Sequence, residues 1–219
     1  MASKVVPLLI LLLSIDVFFM LAHIAYLLGW LTNSFWSVEK DSSFSEWYQH
    51  LKEGSIVALL IYHSFKIKKI DYLPWGLLFL YVLLDDALMV HEKLGGHLDN
   101  AFDLPVFSSL REQDIGELIV SAFFGAGLLI LIFLRFFWCE VRVKHHYIDL
   151  LVLFSALVLF GIGVDMVHMM VSSGAEVWGL IEDGGELLVM SLIVFYIVSL
   201  STGEQLSAPT ASSENAVRS

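Results

Sequence analysis

The sequence is poor in cysteine and in charged residues. One cysteine in 219 residues excludes an internal disulfide and any metal site built from several thiolates. Charged residues make up 16% of the chain, whereas soluble domains average about 25%. The formal net charge is −11, which does not indicate a nucleic-acid partner. The composition therefore argues against an ordinary soluble domain and against a nucleic-acid-binding protein.

The sequence contains long apolar runs. Hydrophobic residues form 58% of the chain, and uncharged runs of about 20 residues, enough for a helix to cross a bilayer, recur along it. The first run is too long for the apolar part of a signal peptide and lacks a small-residue cleavage site, so we interpret it as a retained span. Runs this long exclude β-barrel strands. The sequence predicts an all-α polytopic membrane bundle of about six transmembrane helices, at 5–31, 49–66, 72–92, 115–138, 147–171 and 178–200.

Lys and Arg residues predict the orientation of these spans. Two thirds of the 12 basic residues fall on the side that holds both ends of the chain, and the positive-inside rule makes that side cytoplasmic. The Gly95-Gly96 pair is expected to stop the third helix. Residues 1–200 then form one six-helix domain, and the polar segment 201–219 is a disordered cytoplasmic tail. The basic residues assigned to the outer side are Lys40, Lys52, Lys93 and Arg111.

Acidic residues concentrate at the outer side of the predicted bundle. Most of the 23 Asp and Glu residues lie in outer loops or in the outward half of a helix. A charged residue at the bilayer centre costs about 2.5–3.5 kcal/mol on insertion scales, so these side chains should avoid lipid. We expect them to face the bundle interior and to share protons, hydrogen bonds or a cation.

Asp, Glu and His residues on facing helices are typical of carboxylate-bridged metal sites. Asp165 and His168 are three residues apart, and Glu182 and Glu186 four apart, so each pair occupies one helix face. Such oxygen and nitrogen ligands suit a divalent iron, manganese or zinc ion, which would activate water or oxygen in an enzyme acting on a lipid or small molecule. The candidate metal ligands are Asp86, His91, Glu92, Glu117, Asp165, His168, Glu182 and Glu186.

Two segments repeat a histidine followed by an Asp-x-Gly-Glu sequence. The sequence MVH comes at the end of the third and fifth predicted spans, and Asp-x-Gly-Glu opens the fourth and sixth. The first two spans contain a third and weaker example of a histidine followed by a glutamate. The repetition predicts three parallel hairpins around an axis along the membrane normal. Each hairpin would pair one histidine with one glutamate, as His23/Glu53, His91/Glu117 and His168/Glu186.

Two other functions fit the same residues. The acids can form the outer mouth of a proton or cation path, which Asp16, on the same helix face as His23, would extend inward. They can also be a structural polar network in a non-catalytic accessory subunit, hydrogen-bonded across helices or capping helix N-termini. Capping does not explain Asp85, Asp86 or Asp165, which come late in their predicted helices, where the helix dipole disfavours anions.

The segments LLDDALMVHEKLG, VDMVH and IEDGGELLVM resemble a group of uncharacterised bacterial multi-pass membrane proteins. That group has a Leu-Asp-Glu…His-Glu motif on one helix and a Glu-Glu…Glu-Met pair opening the last helix. The similarity runs from Glu53 to Leu200, and this chain has Asp86, Asp165 and Asp183 where the group has Glu. The resemblance implies a bacterial inner membrane and brings no activity. Its polar positions fall on Asp85, Asp86, His91, Glu92, Asp165, Glu182, Asp183 and Glu186.

Overall fold

Helices account for every regular element in the part of the chain that the structure describes. The computed structural model describes residues 5–66, 70–102, 112–171 and 174–207. Within these ranges the all-α prediction is confirmed. The α-helices are α1 (Val6–Leu27), α2 (Phe44–Lys66), α3 (Leu73–Leu88), α4 (Val90–Ala101), α5 (Glu112–Trp138), α6 (Val141–Val158), α7 (Asp165–Met170) and α8 (Ala175–Ser207).

Four helices are long and apolar enough to cross a membrane, which makes the chain a multi-pass membrane protein. They are Val6–Leu27, Gln113–Trp138, Val141–Met170 and Ala175–Thr202. A fifth span results if α3 and α4 are counted together as one bent span. α2 does not qualify on its own, because polar and charged residues fill its first half. The prediction of six spans is thus confirmed only in part.

The third predicted span is broken at Met89. α3 ends one residue before Met89 and α4 begins one residue after it, and the pair is bent by 71°. Met89 has a φ of 52°, in the left-handed region, which costs an L-residue roughly 1–2 kcal/mol. A bulky residue held in that conformation requires support from its surroundings, and such residues concentrate at functional sites.

Gly95 lies at a helix crossing and does not end a helix, contrary to the sequence-based expectation. α4 continues through Gly95 and Gly96. A Cβ atom on Gly95 would overlap the backbone of Glu117, and one on Gly116 would overlap the backbone of Gly95. The two glycines therefore let α4 and α5 approach to backbone contact, as small residues do between membrane helices.

Two other predicted spans also differ from the helices of the structure. The fifth begins earlier, and α6 and α7 are joined through a π-helical segment, Leu159–Val164, that sequence periodicity did not indicate. π-Helical turns are rare in proteins, and those that occur are often found at functional sites. The last helix continues past residue 200 to Ser207. The rest of the predicted tail, residues 208–219, lies outside the described residues.

α8 is the central helix of the bundle. It packs against α1, α2, α6, the π segment and α7, while α3 joins the bundle through α2 and α5. The buried core is built mainly from α2, α3, α6 and α8, with Trp75, Phe79, Leu150, Met190 and Ile193 at its centre. α5 packs on α3 and α4. In the described part of the chain, α5 makes few contacts with α6, and a cleft lies between these two helices.

The α4–α5 crossing yields a prediction about stability. Gly116→Ala should lower the free energy of unfolding by about 1–3 kcal/mol, because the added methyl group has no space against the Gly95 backbone. Gly96→Ala is the matched control, since a Cβ at Gly96 meets nothing within 4 Å. It should be neutral or stabilising by up to about 1 kcal/mol. Thermal unfolding in detergent measures both, and equal Tm values for the two variants would contradict the tight crossing.

Candidate functional site

A large cavity lies among α2, α3, α5, α6 and α8. Its volume is about 540 Å³, within the range of about 300–1,000 Å³ that is typical of small-molecule pockets. Several predicted metal ligands from five different helices line it: Asp86, His91, Glu117, Asp165 and Glu186. The fold therefore brings these residues, which are far apart in the sequence, to a single space.

A second, smaller cavity of about 200 Å³ adjoins the first and is called here the polar cavity. Charged residues of the segment before α2 and of the first turns of α2, among them Glu39, Lys40 and Glu46, form much of its wall. Glu92 and Asp183 line it as well. The two cavities share four side chains, those of Gln49, Asp86, His91 and Glu186.

Three side chains at the edge of the large cavity are close enough together to hold a metal ion. His50, Glu53 and Asp86, called here the central site, each offer a ligand atom, and these atoms lie within 4.8 Å of one another. Glu53 is fully buried, and neither of its carboxylate oxygens has a hydrogen-bond partner among the described residues. Gln49 is 7% exposed, and its amide atoms also have no partner there. Buried polar groups normally are hydrogen-bonded, so these two side chains point to a missing ligand.

The helical repeat of α2 places part of the central site inside the bundle. Gln49, Glu53, Ile56 and Leu60 follow one another at intervals of three or four residues, so they occupy one helix face. All four are buried. The apolar residues of this face pack in the core, whereas the polar ones, one to two turns nearer the N-terminus, face the large cavity. A single face of α2 thus holds both apolar core residues and polar residues that line the large cavity.

Glu186 reaches the cavities through a gap at Gly161. A Cβ on Gly161 would overlap the Glu186 carboxylate, so a larger residue at this point of the π segment would displace that carboxylate. Glu186 is half-buried and lines both cavities. The π segment therefore has a direct role in positioning a predicted site residue.

Asp85 caps the helix that follows the bend. Its Oδ1 atom accepts a hydrogen bond of 2.8 Å from the backbone N–H of His91, and its Oδ2 atom lies 3.1 Å from His91 Nδ1. The break at Met89 creates a new helix N-terminus with N–H groups that need acceptors. Asp85 lies near the end of α3, where the dipole of that helix disfavours an acid. It also lies next to the first turn of α4, and the dipole of α4 favours a negative charge there.

His168 and Glu182 form a separate pair at the end of the bundle. His168 Nδ1 and Glu182 Oε2 are 2.9 Å apart, joining α7 to α8, and neither residue lines the two cavities. The repeat predicts that His168 pairs with Glu186 and His91 with Glu117. The structure instead places His168 against Glu182, and the three-hairpin repeat stays a prediction.

The two Asp-x-Gly-Glu segments use glycine in the same way. In the first, Gly116 contacts the backbone of α4. In the second, a Cβ on Gly185 would overlap the Phe160 ring, and one on Gly184 would crowd Met20. Each motif thus brings neighbouring helices close to the start of a helix that also carries a cavity-lining glutamate, Glu117 or Glu186.

Lys52 and Asp16 form a buried ion pair next to the central site. Lys52 Nζ lies 3.0 Å from Asp16 Oδ1 and also donates to the Leu187 carbonyl oxygen at 2.7 Å and to Ser191 Oγ at 3.3 Å. The side chains of Lys52 and Asp16 are 2% and 0% exposed. The sequence analysis assigned Lys52 to the outer side, and the structure places its side chain within the bundle against the acid on α1.

Sequence reasoning missed His50 and Gln49 and used Glu53 only as part of the repeat. The missed signal is the sequence His-x-x-Glu at His50 and Glu53, a reversed form of the Glu-x-x-His pair of bundle metal sites. Its polar neighbours made this stretch resemble a loop feeding a helix. The structure instead begins α2 at Phe44 and places the pair within the helix.

Comparison with known proteins identifies a family but no activity. Residues 69–200, more than half of the chain, match the model of a family described as "Domain of unknown function (DUF8692)". The match includes Asp86 and Glu186, whereas α1 and α2 precede it. No curated protein and no solved structure matches the chain.

The buried ion pair yields a second prediction. Lys52→Met should lower the free energy of unfolding by about 3–5 kcal/mol, because it leaves the buried Asp16 carboxylate without its cation. Adding Asp16→Leu to Lys52→Met should recover much of this loss, since an apolar pair has no charge to compensate. Lys93→Met, at an exposed lysine, is the control and should have little effect. A double variant no more stable than Lys52→Met would contradict the ion pair.

Proposed function

The chain belongs to the family described as "Domain of unknown function (DUF8692)", and we propose its function from the site. We propose a membrane-embedded metalloprotein that binds one divalent iron, manganese or zinc ion at His50, Glu53 and Asp86, for chemistry on a lipid or small molecule. The observation that carries the proposal is Glu53, which is fully buried, lacks any hydrogen-bond partner in the described residues, and faces two other potential ligands.

Charge balance supports a cation at this position. Glu53, Asp86 and Glu186 line the same cavity, and several carboxylates in a medium of low polarity need protons or a cation to compensate them. Lys52 is close but is committed to Asp16. A divalent ion would satisfy the carboxylate oxygens of Glu53 and Asp86 at once.

The spacing of the central site also supports metal binding. Ligand oxygen and nitrogen atoms bind zinc tetrahedrally at about 2.0–2.2 Å, so two ligand atoms of one ion are about 3.3–3.6 Å apart. The ligand atoms of His50, Glu53 and Asp86 are within 4.8 Å of one another, so small side-chain rotations bring them to this distance. Gln49 and Glu186 border the same space and can complete the coordination or hold a bound water. A metal ion there would act as a Lewis acid or lower the pKa of a bound water.

The two rival functions gain less from the structure. A proton path would need Asp16 free to exchange protons, but Asp16 is held by Lys52, and His63 is hydrogen-bonded to Ser201 at 2.6 Å. The structural reading fits the Asp85–His91 and His168–Glu182 pairs, which are satisfied contacts between or within helices. It does not account for Glu53 and Gln49.

We also propose that α2 is the sixth span and that both termini are cytoplasmic, in a bacterial inner membrane. α2 packs on α3 and α8, and its residues Gln49, Lys52, Glu53, His63 and Ser64 are buried. Membrane helices tolerate ionisable residues when these face the bundle interior.

Metal analysis of the detergent-purified protein tests the central site. We expect about one divalent ion per chain after incubation with Fe²⁺, Mn²⁺ or Zn²⁺, because three nitrogen and oxygen ligands converge. Glu53→Gln and His50→Ala should lose this ion. His168→Ala is the matched control and should retain it, since His168 lies outside both cavities.

A chelator provides an independent readout of the same site. Removing the ion from the wild type should lower its Tm, because bound metal stabilises the folded state and its loss leaves the carboxylates uncompensated. The Tm of Glu53→Gln should not respond to the chelator. A protein that binds none of the three ions, or a His168→Ala variant that loses metal as completely as Glu53→Gln, would refute the proposal.

Single-cysteine labelling tests the six spans. Burial raises the pKa of the native Cys139 thiol, which slows its reaction, and Cys139→Ser removes the remaining background. Added cysteines at the exposed positions Asp41, His97 and Glu140 are then treated with an impermeant maleimide in spheroplasts. We expect Asp41→Cys and His97→Cys to react and Glu140→Cys to react only after permeabilisation. If Asp41→Cys and His97→Cys lie on opposite sides, either α2 or the α3–α4 pair does not span the membrane, and the six-span arrangement is refuted.

A further inference from the structure

The face of α5 that lines the large cavity is built from small side chains. Ser121, Ala122, Gly125 and Ala126 all line the cavity, and a Cβ on Gly125 would meet nothing within 4 Å. In membrane bundles such residues usually allow another helix to pack closely. Here they leave an open space between α5 and α6, so their small size creates volume and not a helix contact.

The large cavity changes from polar to apolar along the axis of the bundle. On α5 its lining begins with Asp114 and Glu117 and ends with Leu129. On the antiparallel α6–α7 span it begins with Phe154 and ends with Asp165 and Met166. The acidic ends of both linings lie together, and the lining of α5 extends about 22 Å, at 1.5 Å per residue.

We infer that the large cavity binds a long-chain lipid. This inference rests on the proposed function for the chemistry at the polar end of the cavity. The lipid's alkyl chain lies along the small-residue face of α5, and it enters from the bilayer between α5 and α6. Its head group carries amine or hydroxyl donors and lies next to Asp86 and Glu186. Donor groups are favoured because the polar end is lined by carboxylates, which repel an anionic head group.

The unpartnered side chains supply the second observation for a ligand. Glu53 and Gln49 both line the large cavity, both are more than nine-tenths buried, and both have unpaired acceptor atoms in the described residues. A head group with hydrogen-bond donors next to the metal satisfies acceptors that the ion leaves open. The apolar lining offers burial worth about 0.8 kcal/mol for each methylene group.

Photocrosslinking tests this inference. The probe is a long-chain primary amine with a mid-chain diazirine, added to the metal-loaded protein in detergent micelles, and the labelled peptides are identified by mass spectrometry. We expect the label on the peptides that contain Leu118–Leu129 and Phe154–Ile162. Gly125→Leu should reduce labelling at least about tenfold, since its side chain occupies the cavity and tenfold corresponds to only about 1.4 kcal/mol.

Gly127→Leu is the matched control, because Gly127 also has nothing within 4 Å of an added Cβ but does not line the cavity. It should label like the wild type. Leucine favours a helix over glycine, so both variants should fold. A Gly125→Leu variant that labels as strongly as Gly127→Leu overturns the inference, as does stronger labelling by the fatty acid with the same chain and diazirine.

Metal content measured on the same samples separates this inference from the proposed function. Loss of labelling in Gly125→Leu with one ion still bound supports both. Labelling that depends on Gly125 in a protein that binds no metal supports the lipid site and refutes the metal centre. Metal-loaded wild type that is not labelled on α5 or α6 refutes the lipid site alone.

Discussion

Compensation of buried carboxylates is the constraint on which this bundle depends. The fold meets it by three devices: a lysine for Asp16, a helix N-terminus for Asp85 and a histidine for Glu182. Each device requires a particular helix geometry, including the unusual backbone at Met89. Glu53 is a fully buried acid whose carboxylate oxygens accept no hydrogen bond from the described residues, and this difference separates the proposed metal site from the structural contacts around it.

The backbone irregularities coincide with the cavity and not with the core. The bend at Met89 turns α4 over the acidic end, and the π segment presents Gly161 to Glu186. The core of Trp75, Phe79 and Ile193 is built from regular helices. Strained or rare backbone geometry is costly, so its presence where polar side chains converge supports a function for that region.

Hydropathy was enough to predict the class of fold and the approximate positions of most spans. Helix periodicity also identified Asp86 and Glu186, because buried acids within apolar runs are conspicuous. His50 could not be recognised in the same way, since it lies in a polar stretch whose burial depends on packing against α3 and α8. The bend at Met89 was likewise invisible, because no proline or glycine marks it and distant contacts fix it.

The two cavities share a layer of four side chains, those of Gln49, Asp86, His91 and Glu186. The polar cavity, on one side of this layer, is lined by charged residues. The lining of the large cavity, on the other side, becomes apolar with distance from the layer. Under the proposed function, a water-soluble reactant and an oil-soluble one meet at these four residues while each remains in its own solvent phase. Neither needs to be transferred across the dielectric boundary before it reacts.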